Sequence, residues 1–288
     1  MSIYRNQQGS LTALGRLGRT FGLGRLLYYG YYRPLWHLRR WRVPDRPVEV
    51  PLFGLRFHMP SPRQFDCFRG IYLDGAWEPA VTEVVRGLIK PEMNVALVGA
   101  DVGYYVLLAA SLNRTGRVFA IEPFPTHFAI LDKNVGTNSL GNVRLFNIAA
   151  GATEQTAELV NPGTESRLDL AGNGSPAMGE RVTVLVRPLD IVLMPEIPSG
   201  AKLDIVQIDV EGAEWDVLRG MEQLLARDRP TLLVELHGPL LPRFGTTKAE
   251  FLRWLDDRGY DAKWLDGEAL TDPGYSHVLF TARKPAGP

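Results

Sequence analysis

Two short segments of this 288-residue chain gather side chains that can move protons or hold hard cations. One reads Ile208-Asp209-Val210-Glu211-Gly212-Ala213-Glu214 and the other Glu235-Leu236-His237. Imidazole titrates near working pH, so His237 is the first candidate for a general base. A strand alternates its faces, which points Glu235 and His237 the same way. Glu235 can therefore orient the imidazole or accept a proton itself. Asp209, at the end of its own strand, can hold an amino group, order a substrate or ligate a metal. Asp209, Glu235 and His237 would suit a hard cation such as Mg²⁺, but no tight ligand spacing enforces one, and a required metal is not predicted. Asp209 and Glu211 also stand where carboxylates favour the start of a following helix.

A second constellation lies upstream, in Val98-Gly99-Ala100-Asp101-Val102-Gly103-Tyr104 and Ile121-Glu122-Pro123. Gly99 permits a tight turn, and Gly103 lets backbone approach a ligand closely. The free N–H groups of the helix that follows suit a carboxylate. Glu122 comes 19 residues after Gly103 (122 − 103), near the roughly 20 expected of an acid that grips ribose hydroxyls. Gly loop and acid together fit a nucleoside-bearing ligand. The Gly-x-x-x-Gly spacing lacks the glycines of a nicotinamide-dinucleotide fingerprint, and no triphosphate-binding loop is present. S-adenosylmethionine, which has no pyrophosphate, tolerates this looser turn. Glu78, before the first core strand, is placed to reach the methionine amino group. The small Ala149 and Ala150, after the third strand, leave room for adenine.

These residues need a frame, and the chain alternates elements to supply one. Apolar runs at Val95–Val98, Arg117–Ile121, Val143–Ile148, Val182–Val186, Leu203–Asp209 and Thr231–Leu236 read as strands. Between them, helical periodicity marks residues 77–89, Val102–Leu112, Thr126–Asn138, Ala213–Leu225 and Lys248–Arg258. Residues 48–59 read as a hairpin turning at Gly54. Alternation with continuous apolar strands implies a doubly wound, mainly parallel α/β sheet covered on both faces. The last two strands, Asp261–Leu265 and His277–Ala282, have no helix between them, so an antiparallel hairpin is expected there.

Residues 1–46 differ in composition from the rest. They hold nine arginines and one acid, a net of +9 − 1 = +8 that leaves −8 for residues 47–288 of this neutral chain. Arginine interleaved with Trp and Tyr over residues 23–42 suits an anionic, partly apolar surface such as a membrane interface, or a helical arm packed on its own acidic domain or a partner subunit. No apolar run is long enough to span a bilayer, and no secretory signal pattern opens the chain. The single Cys67 excludes an internal disulfide and a Cys-based zinc site.

Val98-Gly99-Ala100-Asp101-Val102-Gly103-Tyr104-Tyr105, Ile121-Glu122-Pro123-Phe124-Pro125, Ile208-Asp209-Val210-Glu211-Gly212-Ala213-Glu214 and Glu235-Leu236-His237, in that order, resemble the motifs of FkbM-family methyltransferases over about residues 70–240. The resemblance implies the class I methyltransferase (Rossmann-like) fold, S-adenosylmethionine as cofactor, and a hydroxyl acceptor on a sugar, glycolipid or natural product. Leu97 departs from the pattern: the family commonly carries Asp there, and Asp101 stands where Asn is usual. The expected organisation is a basic aromatic extension (1–46) and a methyltransferase domain (47–288), with a lid-like loop at 161–181 whose Ser166 and Arg167 can contact substrate. The cofactor set is Glu78, Gly99, Ala100, Asp101, Gly103, Tyr104, Glu122, Pro123, Ala149 and Asp209; the catalytic set is His237, Glu235 and Asp209. O-methylation is the leading expectation. The alternatives are a non-catalytic cofactor-binding protein and N- or C-methylation. Expected partners are a small-molecule or lipid-linked hydroxylated acceptor, a membrane surface met through residues 1–46, and a second copy of the chain, but no nucleic acid; the expected location is cytoplasmic, peripheral at the membrane.

Overall fold

The computed structural model describes residues 43–161, 167–169, 180–265 and 275–284. These divide into two compact units. Residues 43–48 and 60–75 form one; residues 49–59 and the described residues from 76 onward form the other.

In the smaller unit, helix α1 (Asp66–Asp74) ends at Gly75, whose φ of 70° is a left-handed cap. Ser61 donates its hydroxyl to Asp45 Oδ1 (2.9 Å), and Arg63 donates Nε to the Val43 carbonyl (2.9 Å).

The larger unit carries a hairpin, β1 (Val48–Leu52) with β2 (Leu55–Met59), then α2 (Pro79–Leu88). Next come β3 (Val95–Val98), α3 (Tyr104–Leu112), β4 (Val118–Ile121), α4 (Pro125–Thr137) and β5 (Val143–Phe146). A small sheet follows, made of β6 (Ala149–Ala150), β7 (Gln155–Asn161), β8 (Arg167–Asp169) and β9 (Glu180–Arg187) in the order β6-β9-β7-β8. The main sheet resumes through α5 (Leu189–Leu193), β10 (Ile205–Ile208), α6 (Glu214–Arg219), α7 (Glu222–Asp228), β11 (Thr231–His237), a 3₁₀ turn at Leu241–Phe244, α8 (Lys248–Asp257), β12 (Tyr260–Trp264) and β13 (Tyr275–Ala282).

The seven-stranded order is β5-β4-β3-β10-β11-β13-β12. Every pairing from β5 to β11 is parallel; β13 runs antiparallel to both β11 and β12. This is the doubly wound sheet with a terminal antiparallel hairpin that the alternation predicts. Its strands are apolar on both faces because both are covered. Val98, Ile121, Val206, Ile208 and Val234 pack with Leu189, Val217, Leu224 and Phe251 of α5–α8. Leu97, Ala120, Ile205 and Leu233 pack on the other side with Val81 and Val85 of α2 and Val106 and Leu108 of α3.

Two expectations need correction. The helix expected over Ala213–Leu225 is two short helices, α6 and α7, separated at Gly220. A Cβ there would lie 2.1 Å from the Gly151 carbonyl oxygen, so the chain turns where the small sheet presses against it. The stretch expected to be a loop, 161–181, is strand wherever it is described: Asn161 ends β7, β8 pairs antiparallel with β7, and Glu180 opens β9.

Candidate active site

The carboxyl ends of β3, β4, β10 and β11 meet at one edge of the sheet, and the first and third motifs touch there through backbone. A Cβ on Gly99 (φ 84°) would fall 1.7 Å from the Asp209 carbonyl oxygen, so only glycine lets the two turns close. Gly99 and Ala100 both donate their N–H to the Ile121 carbonyl (3.0 Å each). Gly103 (φ 99°) caps α3.

Glu122 is buried behind this turn. Its Oε2 accepts the Asp101 N–H and its Oε1 the Phe124 N–H, both at 2.8 Å. Burial, joined by the nearby Asp101 charge, pushes its carboxyl up to about 7. Asp101 adopts φ 47° and pairs with His127 Nδ1 at 2.8 Å, while Asn147 donates to the carbonyls of Glu122 (2.8 Å) and Pro123 (3.1 Å). Tyr104 is turned away. Its ring packs edge-on to Phe53 and Tyr105, and its hydroxyl lies 3.1 Å from Thr82 Oγ1 and accepts the Trp77 N–H. Ala149 is buried in the small sheet with Phe124 and Ala157.

His237 ends β11 and is 1% exposed. Its Nδ1 lies 2.6 Å from Oε1 of Glu214, itself fully buried at the start of α6, and its Nε2 lies 3.3 Å from Oε2 of Glu211. Glu211 holds a left-handed backbone (φ 54°), and the Gly212 N–H donates to the same Glu214 oxygen (2.9 Å). Burial alone would drive the imidazole pKa down. The hydrogen bond and charge of Glu214, with the charges of Glu211 and Asp209, outweigh it and raise it to about 9. His237 is therefore an imidazolium at neutral pH, and Glu214 rather than Glu235 orients its ring.

Glu235 belongs to an adjoining group. Burial first, and the charges of Asp209, Glu78 and Glu211 after it, hold its carboxyl far above the usual range, and it gives its proton to a hydrogen bond with half-buried Asp209. Opposite Glu235 in register stands His277 of β13. His277 Nε2 lies 3.8 Å from Glu235 Oε2 and 3.5 Å from Glu78 Oε2. Tyr105 donates its hydroxyl to that same Glu78 oxygen (3.1 Å), and Glu78 caps α2 at φ 42°. Asp209, Glu235 and His237 do not converge as one ligand set: among the described residues, Asp209 and His237 gather with Glu211, and Glu235 with Glu78 and His277.

The model of the methyltransferase FkbM domain matches residues 98–262. The chain belongs to the FkbM methyltransferase family. Family membership makes it an S-adenosylmethionine-dependent methyltransferase. Methyltransferase sdnD of Sordaria araneosa is 24% identical over 190 residues, covering 57% of this chain and 71% of that protein. Among solved structures, methyltransferase FkbM from Methylobacillus flagellatus aligns at a TM-score of 0.44 with 14% identity, over 75% of this chain and 60% of its own. An rRNA methylase from Streptococcus thermophilus aligns at 0.45 with 11% identity, over 71% and 95%. This chain thus covers 60% of the length of that solved methyltransferase.

Of the residues read from sequence, Ser166 lies outside the described residues and Arg167 is placed only as backbone of β8. Glu214, Tyr105, His127 and His277 were not singled out. Glu214 stands inside the third motif but reads as a helix-start acid, and His277 reaches the edge only through the register of β13 with β11.

Proposed function

We propose that this FkbM-family enzyme transfers the methyl group of S-adenosylmethionine to a hydroxyl of a sugar, glycolipid or natural product. The carrying observation is the acidity of the edge: among the described residues, Glu78, Asp209, Glu211, Glu214 and Glu235 gather with the imidazoles of His237 and His277. An edge with that surplus of carboxyl groups fits a ligand bearing a sulfonium and an ammonium. The Gly99–Gly103 turn and Glu122 would hold the nucleoside and amino-acid parts, with Glu78 or Asp209 at the ammonium. Once bound, S-adenosylmethionine supplies a methyl carbon on positive sulfur, open to in-line displacement.

The protein's part is alignment and proton handling. A hydroxyl is a weak nucleophile and needs a proton acceptor beside it, whereas a neutral amine does not. An edge built from carboxyls and imidazoles in mutual contact supports the hydroxyl reading. His237, locked between Glu211 and Glu214, holds those acids and the turn that bears Asp209.

The test has two stages. Calorimetric titration with S-adenosylmethionine and S-adenosylhomocysteine should show one site per chain. Methyl transfer should then be followed by mass spectrometry over a panel of sugars, glycolipids, phenols and amines. Methyl ethers are the expected products. Methylated amines alone would refute the hydroxyl reading, and no affinity for either nucleoside would refute the cofactor.

A further inference from the structure

The methionine part of S-adenosylmethionine is an α-amino acid, so its site must meet a carboxylate and an ammonium side by side. The first turn of α3 carries backbone N–H groups with no partner inside the helix, which suits the carboxylate. Several acids of the edge could face the ammonium. Glu211 and Glu214 are taken up with His237, and Asp209 is engaged by the Glu235 carboxyl. Glu78 is held in another way. Tyr105, the second residue of α3, donates its hydroxyl to Glu78 Oε2 (3.1 Å), and His277 Nε2 stands 3.5 Å from the same oxygen. A neutral phenol orients a carboxylate and leaves its charge available to a ligand cation.

The segment before α2 is built to keep Glu78 in place. Its φ of 42° is a left-handed backbone, which a residue with a Cβ adopts only where its surroundings hold it there. Tyr104 and Thr82 supply that hold. The Tyr104 hydroxyl accepts the Trp77 N–H (3.1 Å) and lies 3.1 Å from Thr82 Oγ1. Thr82 donates its hydroxyl to the Trp77 carbonyl (2.7 Å) and its N–H to the Glu78 carbonyl (2.9 Å). The rings of Tyr104 and Tyr105 pack edge-on, 5.1 Å between centroids. One tyrosine thus fixes the backbone that precedes Glu78, and the other fixes its carboxylate. Burial, with the Glu78 charge added to it, drives the Tyr105 hydroxyl far above its usual range, so it keeps its proton and remains a donor at any working pH.

We propose that Tyr105 is a positioning residue that aims the Glu78 carboxylate at the ammonium of bound S-adenosylmethionine, beside the helix start that meets its carboxylate. The inference rests on the cofactor reading above and assigns the ammonium to Glu78 rather than to Asp209. Tyr105 acts through Glu78 and needs no ligand contact of its own.

The test compares two ligands by calorimetry on the full-length protein: S-adenosylhomocysteine, and its analogue in which hydrogen replaces the amino group. Wild type should bind the analogue about 10-fold more weakly. Tyr105→Phe should weaken S-adenosylhomocysteine about 10-fold and the analogue less than about two-fold. Structural damage would weaken both ligands alike, so equal losses would overturn the proposal. So would a Tyr105→Phe affinity for S-adenosylhomocysteine within about two-fold of wild type. Glu78→Gln retains the shape of the side chain and should show the same dependence on the amino group; adding Tyr105→Phe to it should cost less than about two-fold more. That variant also serves if loss of the phenol disturbs folding. A Glu78→Gln protein that prefers the amino-bearing ligand as strongly as wild type would overturn the proposal and leave the cofactor reading standing. A wild-type protein that binds neither nucleoside would overturn both.

Discussion

His237 and Glu122 show how placement can reverse what a side chain does. A histidine at a strand end reads as a base, but buried Glu214 and half-buried Glu211 make His237 a fixed cation. Its pKa is raised in the folded state, from the ordinary 6.5 to about 9. Its contribution to stability is therefore complete below about pH 6.5 and lost as pH rises through 9. Urea unfolding at stepped pH should show stability falling over that window by up to about 3 kcal/mol, with Glu214→Gln flattening the slope. Glu122 presents the opposite case. Its carboxyl titrates near 7, and only the ionised form accepts fully from ribose hydroxyls. Affinity for S-adenosylhomocysteine should therefore rise as pH passes upward through 7. Glu122→Gln should bind more weakly and remove that rise, which calorimetry at three pH values would check. The sequence singles out both residues as site candidates, but their charge states depend on burial and on partners from other elements.

Among the elements, glycine positions separate close approach from mere turning. At Gly99 a side chain would strike the Asp209 backbone at 1.7 Å; at Gly54 (φ 79°) nothing lies within 4 Å. Gly54→Ala should cost about 1–2 kcal/mol, the price of a left-handed backbone. Gly99→Ala should cost well over that or prevent folding; urea unfolding of both variants distinguishes them. Asn134 of α4 gives a further test. It is fully buried, accepts the His58 N–H (2.7 Å), and donates to the carbonyls of His58 and Val102 (2.8 Å each), tying the β1–β2 hairpin to α4 and to the turn before α3. Asn134→Ala strands those backbone groups and should lose about 2–4 kcal/mol, read by the same unfolding assay.

The parallel strands of the main sheet were legible because each is a short, largely apolar run between turns. Of the small sheet only β9 was legible, as the apolar run Val182–Val186; β7 shows no clear period of two, and β8 is three residues inside a Gly- and Ser-containing stretch that resembles a loop. The break at Gly220 was invisible because apolar periodicity runs on through it. Its cause is a carbonyl distant in sequence.

For the molecule as a whole, charge is the property that sequence alone settles. Residues 1–46 carry +8 and the remainder −8. Residues 1–42 lie outside the described residues, and no described helix is long and apolar enough to cross a membrane. We propose that the basic aromatic segment meets anionic lipid surfaces. Full-length protein should sediment with vesicles containing phosphatidylserine. It should be released as salt rises and the screening length falls from about 10 Å at 0.1 M to about 3 Å at 1 M. A chain lacking residues 1–46 should stay in the supernatant at every salt concentration.

The antiparallel strand β13 also sets an order of assembly. It lies between β11 and β12, yet it is made after both. A nascent chain therefore presents β11 with an open edge, a surface that invites pairing with other chains. That exposure ends only when residues 275–282 slide into the slot. The same insertion delivers His277 opposite Glu235. Until the strand is seated, the candidate site lacks the wall that β13 adds beside β11, so one late strand closes both that wall and the open edge.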